Sequence, residues 1–186
     1  MMADELGKES KPGSRLAFDA IVQQYQARLA RYILRLVNDQ ELALDLTQDT
    51  FVSAFRNIHT LRSELALSAW LYRIATNLVI HARAKNRRLQ IQSLANLENS
   101  RHVAVEAPDG MVMDRELVYE ALSQLSRERA ACLLLHVQEG FSYDEVATIM
   151  CTTPEAARKR IARAKEQFRL YYDRNAEKDA ANYAVR

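Results

Sequence analysis

Apolar residues recur at helical spacing along most of this chain. Leu16, Ile21, Tyr25, Leu29, Ile33, Leu36 and Val37 form one stripe, which predicts an amphipathic helix from about Ser14. Asn38 and Asp39 interrupt the stripe, and Asp39 is placed to cap a second helix carrying Leu42, Leu46, Val52, Phe55 and Ile58. Residues 59–68 lose the period and are expected to form a loop. Ser68 then opens a third helix, with Trp70, Leu71, Ile74, Leu78 and Ala82 inside. Short links between such helices predict a compact bundle.

From 89 to 112 the apolar residues follow no sustained period, and Val105-Glu-Ala-Pro-Asp-Gly110 is rich in turn formers. This stretch is expected to be a linker with a short helical piece at its start. Asp109 is a candidate cap, after which Leu117, Ala121, Leu122 and Leu125 share a stripe. Ser126 caps the next helix, with Leu133, Leu134 and Val137 inside, and Gly140 is suited to ending it in a left-handed conformation. Ser142 and Glu145 then form a capping box ahead of Val146 and Ile149. Thr153 is an N-cap candidate, with Pro154 at the first helical position, where its missing N–H costs nothing. Ile161, Ala164 and Phe168 mark one side of this last helix, and Arg158, Lys159, Arg160, Arg163, Lys165 and Arg169 occupy the rest. A short capped helix, a turn and a cationic helix make the layout of a helix-turn-helix reader of the DNA major groove. The bland alternative is a pair of surface helices with a solvated basic face.

The expected fold is therefore all-α, with two small helical domains on a flexible linker. Residues 1–13 are a disordered lead-in, 14–88 the first domain, 89–112 the linker, 113–172 the second domain and 173–186 a frayed or partly helical tail. Four glycines and three prolines in 186 residues argue against an all-β sandwich and its many tight turns. The second domain is near the lower size limit for independent folding, so docking on a partner is expected to add to its stability.

A net charge of +2 says little, but its distribution says more. Arg83, Lys85, Arg87 and Arg88 make one basic knot and residues 158–169 another, which points to two contacts with a polyanion. The two cysteines, Cys132 and Cys151, form no disulfide framework and are expected to be buried small hydrophobes in a reducing compartment. Cys132 and His136 lie four apart, but two ligands are too few for a structural zinc site. No apolar run approaches the roughly 20 residues that span a bilayer, and the polar N-terminus lacks the apolar core of a signal peptide. A soluble, cytoplasmic protein is expected, with no membrane insertion. The chain contains no glycine-rich phosphate loop, zinc spacing or nucleophile motif, and its four histidines (His59, His81, His102 and His136) are scattered. No enzymatic activity, catalytic residue, metal or cofactor is expected.

Four segments occur in order: Ala43-Leu-Asp-Leu-Thr-Gln-Asp-Thr-Phe-Val52, Ala69-Trp-Leu-Tyr-Arg-Ile-Ala-Thr-Asn77, Ala121-Leu-Ser-Gln-Leu-Ser-Arg-Glu-Arg129 and Glu139-Gly-Phe-Ser-Tyr-Asp-Glu-Val-Ala147. Together they resemble bacterial RNA polymerase sigma factors of the extracytoplasmic-function (ECF) group, from about residue 16 to 172. The resemblance implies region two followed directly by region four, and a factor that binds core RNA polymerase and directs it to promoter DNA. It implies that Asp45, Gln48 and Asp49 contact the clamp helices of the largest polymerase subunit. On a helix these three share a face suited to charge-assisted bonds with arginines; the competing reading is a solvated acidic face.

The resemblance also implies that the loop at 59–68 and the following helix capture an unstacked base of the minus-ten element. Asn77 takes the family's pocket role, Leu61, Arg62 and Ser63 are loop candidates, and Arg73 lies near phosphate. Trp70 and Tyr72 are tempting as stacking platforms, although Trp70 fits the core stripe. Arg83, Lys85, Arg87 and Arg88 supply salt-dependent phosphate attraction. Thr153, Glu155, Ala156, Arg158, Lys159, Arg160 and Arg163 occupy the half of the recognition helix that faces base edges in the minus-thirty-five element. Lys165 and Arg169 are left for the polymerase flap or for water. Many members of the family are held by an anti-sigma factor, which is expected here as a partner.

The chain departs from the family pattern in three places. Leu44 stands where Glu is frequent, His81 where Asp is common, and Pro154-Glu-Ala-Ala-Arg-Lys-Arg160 opens the recognition helix in place of a Gly-Thr-Val-Lys-Ser-Arg type. The alternative reading is a stand-alone dimeric helix-turn-helix regulator that binds a symmetric operator. A third is a protein-binding adaptor without DNA affinity.

Overall fold

The computed structural model describes residues 12–61, 63, 66–92 and 112–184, with side chains described at 18–61, 63, 66–82 and 116–176. Seven α-helices occur among these residues: α1 (Pro12–Val37), α2 (Gln40–Asn57), α3 (Leu67–Gln92), α4 (Val112–Ser123), α5 (Arg127–Val137), α6 (Tyr143–Ile149) and α7 (Pro154–Ala184). A 3-10 turn, Ile58–Thr60, follows α2. The first three helices pack on one another, and α4, α5 and α6 gather around α7.

Local chemistry sets the helix ends as expected. Asp39 accepts from the Leu42 N–H at 3.0 Å and starts α2. Asn38 makes the break before it, with a φ of 54°. Ser126 starts α5. Gly140, with a φ of 80°, closes the same helix as Phe141 N–H donates back to Leu135 C=O at 3.0 Å. The Ser142–Glu145 capping box is complete, and the Thr153 hydroxyl accepts from Ala156 N–H at 3.2 Å with Pro154 as the first residue of α7. Ser68 is different: α3 begins one residue earlier, so Ser68 lies inside its first turn.

The core of the first bundle joins Leu29, Tyr32, Ile33, Leu46, Phe51, Leu71, Tyr72 and Val79. On α2 the buried face differs from the expected one. Val52 and Phe55 are exposed, while Ala43, Thr47, Thr50, Phe51 and Ala54 turn inward beside Leu46. The threonines can be buried because Thr47 and Thr50 donate to the carbonyls of Ala43 and Leu46 at 2.6 and 2.7 Å, leaving no unpaired hydroxyl proton. On α3, Thr76 does the same toward Tyr72 C=O at 2.6 Å. Its proton is thereby used, so Tyr32, whose hydroxyl lies 2.8 Å from Thr76 Oγ1, is the donor in that pair. Burial pushes the Tyr32 phenol well above its ordinary pKa.

The second bundle buries Leu117, Ala121, Leu122 and Leu125 as expected, with Leu133, Leu134, Val146, Ile149, Ile161 and Ala164. Val137 is a correction: it is 62% exposed, at the last turn of α5. Cys132 is buried, which pushes its thiol up to about 11 against the pull of Arg160. Cys151 is exposed, contrary to expectation, because it takes the left-handed position (φ 49°) that ends α6. The tail, expected to be frayed or partly helical, carries α7 on as helix to Ala184. At the start of the expected linker, α3 runs on to Gln92, and at its end Val112 already belongs to α4; residues 93–111, with the expected cap Asp109, lie outside the described residues.

The two bundles touch through α1 and α3 on one side and α4, α5 and α6 on the other. The Tyr72 ring stands edge-on to Tyr32 in its own domain and to Phe141 in the other, with both centroids at 5.2 Å.

Candidate polymerase and nucleic-acid interfaces

Helix α2 presents Asp45, Gln48 and Asp49 together to solvent. Their i, i+3, i+4 spacing is kept because α2 is unbroken from Gln40 to Asn57. Leu44, 60% exposed, sits beside them. Behind Gln48 runs an open groove of about 750 Å³ between α1 and α2, lined by Phe18, Val22, Leu44, Val52, Phe55 and Arg56 among others. Phe18 and Phe55 meet edge-on there at 5.1 Å. The face is therefore part acid and amide, part apolar.

Arg73 and Asn77 are exposed at i and i+4 on α3, so the structure brings them to one face. Leu61 is half-buried and Ser63 exposed in the segment before α3. Trp70 is partly buried against the core. Tyr72 is fully buried and faces the other domain, so its ring is no exposed stacking platform. Its hydroxyl donates to Glu139 Oε2, and burial, reinforced by that carboxylate, drives the phenol pKa far up. Arg62 and the side chains of Arg83, Lys85, Arg87 and Arg88 lie outside the described residues.

In the helix-turn-helix, Thr153, Glu155, Arg158, Lys159 and Arg163 are exposed, and Ala156 and Arg160 are half-buried. Several of these side chains already have partners. Lys159 Nζ pairs with Glu155 at 2.6 Å. Arg160 turns back toward α5 and lies 3.8 Å from the Glu128 carboxylate. Arg158 rests over the Tyr143 ring at 5.1 Å from its centroid. The same ring stacks with His136 at 4.5 Å, and His136 Nδ1 lies 2.8 Å from Phe141 C=O. A carbonyl only accepts, so Nδ1 carries the proton. Sequence patterning did not single out Tyr143; its place between a histidine seven residues back and an arginine fifteen ahead appears only once α5, α6 and α7 are assembled.

Among the described residues, no group of three or more His, Cys, Asp or Glu side chains is placed to hold a metal. No described helix is long and apolar enough to cross a membrane.

A helical bundle with an exposed acidic face, joined to a helix-turn-helix with a cationic second helix, defines a two-domain DNA-binding transcription factor. Residues 21–89 match the Sigma-70 region 2 family, and residues 115–168 match Sigma-70, region 4. The chain is 31% identical over 172 residues to the RNA polymerase sigma-H factor of Pseudomonas aeruginosa, covering 87% of this chain and 89% of that protein. It is 29% identical over 180 residues to the ECF RNA polymerase sigma-E factor of Haemophilus influenzae, covering 89% and 95%. The fold is similar to that of the sigma factor RpoE solved with the anti-sigma factor NepR from Bartonella quintana, with a TM-score of 0.72 and 23% identity over 84% of this chain and 97% of that one. It is also similar to CnrH in complex with the cytosolic domain of CnrY, with a TM-score of 0.63 and 21% identity over 87% and 90%. The chain belongs to the RNA polymerase sigma factors, in their ECF group. It binds core RNA polymerase and directs it to promoters. Nothing in these relatives supports the alternative of a stand-alone dimeric regulator.

Proposed function

We propose a division of labour for this sigma factor, carried by the joint exposure of Asp45, Gln48 and Asp49 on one face of α2. Residues 14–88 act as region two. The α2 face docks on the clamp helices of the largest polymerase subunit, where its carboxylates meet arginines and the apolar groove beside Leu44 receives nonpolar side chains. Asn77 and Arg73 on α3, with Leu61, Arg62 and Ser63 before it, hold the melted minus-ten strand. A flipped base costs a few kcal/mol, which these contacts offset. Arg83, Lys85, Arg87 and Arg88 bind phosphate.

Residues 113–172 act as region four. There Thr153, Glu155, Ala156, Arg158, Lys159 and Arg163 approach the minus-thirty-five element, and Arg160 joins them by leaving Glu128. Residues 89–112 run through the polymerase between the two, and 1–13 and 173–186 flank the working domains. The protein works in the cytoplasm as a non-enzymatic factor, since the polymerase performs the chemistry. An anti-sigma protein restrains it, as NepR and CnrY accompany the sigma factors named above in their complexes.

Site-specific photo-crosslinking in the polymerase–promoter complex tests these roles. A crosslinker at Gln48 is expected to mark the largest subunit, one at Asn77 the minus-ten strand and one at Lys159 the minus-thirty-five duplex. Crosslinks from Gln48 to DNA, or from Asn77 to polymerase alone, would overturn the assignment.

A further inference from the structure

Glu139 belongs to the second domain, in the turn between α5 and α6, yet most of its donors come from the first. Tyr72 Oη on α3 and Arg28 Nη2 on α1 both donate to its Oε2, Arg28 at 3.1 Å. Gln138 Nε2 donates to Oε1, and Gln138 Oε1 in turn accepts from Arg35 Nη1 on α1. The Glu139 side chain is 3% exposed, so this carboxylate is held almost entirely by the contact between the domains. Phe141, two residues on, packs its ring against Tyr72.

We propose that Glu139 is a latch that closes the two domains on each other, and that this sigma factor must release it to reach both promoter elements. The second half rests on the reading of α3 and α7 as the minus-ten and minus-thirty-five readers. The two elements lie about 25 base pairs apart by their names, or roughly 85 Å of straight duplex at 3.4 Å per pair. In the closed state Asn77 is one and a half turns of helix from Tyr72, about 7.5 Å. From Glu139 the chain reaches Thr153 through a turn, α6 and a second turn. With α6 kept as a helix and only the two turns fully extended, the path from Asn77 through Tyr72 and Glu139 to Arg163, the far end of the proposed reader, would be less than about 75 Å. The closed chain therefore cannot bridge the promoter. Covalently it can open, because the chain between Gln92 and Val112 has a reach of about 65 Å.

The latch leaves each surface free by itself. Asp45, Gln48 and Asp49, Asn77, and Arg158, Lys159 and Arg163 are all exposed while Glu139 is held. Capture by polymerase and contact with a single element need no opening; bridging does. The polar character of the contact suits a switch, because Tyr72, Arg28 and Glu139 exchange partners for water with a modest net loss.

The test is energy transfer in the full chain, between dyes on Cys151 and on a Gln23→Cys change, in a Cys132→Ala background. Glu139→Gln and Tyr72→Phe are expected to raise the open-to-closed ratio about tenfold, the range for losing a hydrogen bond to a charged group. Arg28→Ala, an exposed position that cannot unfold the bundle, is expected to raise it less. An unchanged ratio in all three, with native helix content by circular dichroism, would overturn the latch.

A second arm locks the closed state with a reducible bismaleimide between Arg35→Cys and Gln138→Cys, with Cys151→Ser and Cys132→Ala. The locked chain is expected to bind core polymerase as the unlocked one does and to lose promoter-specific transcription at least about tenfold, with reductant restoring it. A locked chain that transcribes normally would overturn the proposal. Failure of the underlying promoter assignment looks different: the unlocked chain is then silent too, while the energy-transfer result stands apart from polymerase.

Discussion

The guanidinium of Arg158 on α7 lies over the ring of Tyr143 on α6, 5.1 Å from its centroid, so the tyrosine aims the side chain proposed to read a base. An exposed cation–π contact of this kind contributes about 0.5–1 kcal/mol. Tyr143→Ala is therefore expected to reduce discrimination among minus-thirty-five variants by about two- to fivefold without changing the salt dependence of binding. Competition binding of holoenzyme on a panel of minus-thirty-five sequences checks it. Arg158→Ala should shift preference at one base position by about 1–3 kcal/mol in the same panel.

Arg87 is proposed for the other class of contact, with phosphate. Arg87→Ala is expected to weaken binding across all promoter sequences and to lower the slope of log affinity against log salt by about one. A change of sequence preference with an unchanged slope would contradict a phosphate role.

Asp45 and Asp49 are exposed, so neutralising them leaves the first bundle intact. Asp45→Asn with Asp49→Asn is expected to weaken binding to core polymerase by at least about a hundredfold, from two hydrogen bonds to charged partners worth about 1.5–3 kcal/mol each, with an unchanged melting curve. Fluorescence titration of labelled protein with core enzyme measures this.

Asn77→Ala should leave closed-complex formation near its original level and reduce strand opening about tenfold, the effect of roughly one lost polar contact to an extruded base. Permanganate reactivity of minus-ten thymines, set beside a gel-shift at low temperature, separates the two steps. An equal loss in both would refute a melting role.

Ser142 and Glu145 start α6, which packs against α7. Ser142→Ala is expected to cost about 1 kcal/mol of stability, measured by urea unfolding. Glu145 adds a pH dependence. The Ser142 backbone N–H and hydroxyl hold its carboxyl below the usual 4.5. A depressed carboxylate contributes fully above its unfolded value and loses that contribution as the pH falls through the folded one. The gap between wild type and Ser142→Ala should thus be constant above 4.5 and narrow below it.

The legible parts of this fold were the local ones. Asp39, Ser126, Gly140, Ser142 and Thr153 act within a few residues of themselves, so their chemistry shows in the chain and recurs in the structure. The face of α2 was misread because Thr47 and Thr50 count as polar in a pattern, yet bond their own helix and bury. Val52 and Phe55 were displaced outward in consequence and line the groove instead. Tyr72 carries both an apolar ring and a hydroxyl, and only its partner 67 residues away decides which role it takes. Candidate site residues on single helices, such as Asp45, Gln48 and Asp49, were legible together. The Tyr72–Glu139 contact joins two domains and leaves no periodic trace.

Transcription in vitro with purified core polymerase, on a library of upstream fragments, is the most direct measurement. With the folded protein added, specific transcripts are expected from a subset of fragments that share two elements about 25 base pairs apart, and none from core polymerase alone. A folded protein that binds core yet yields no promoter-specific transcript from any fragment would contradict its role as a sigma factor.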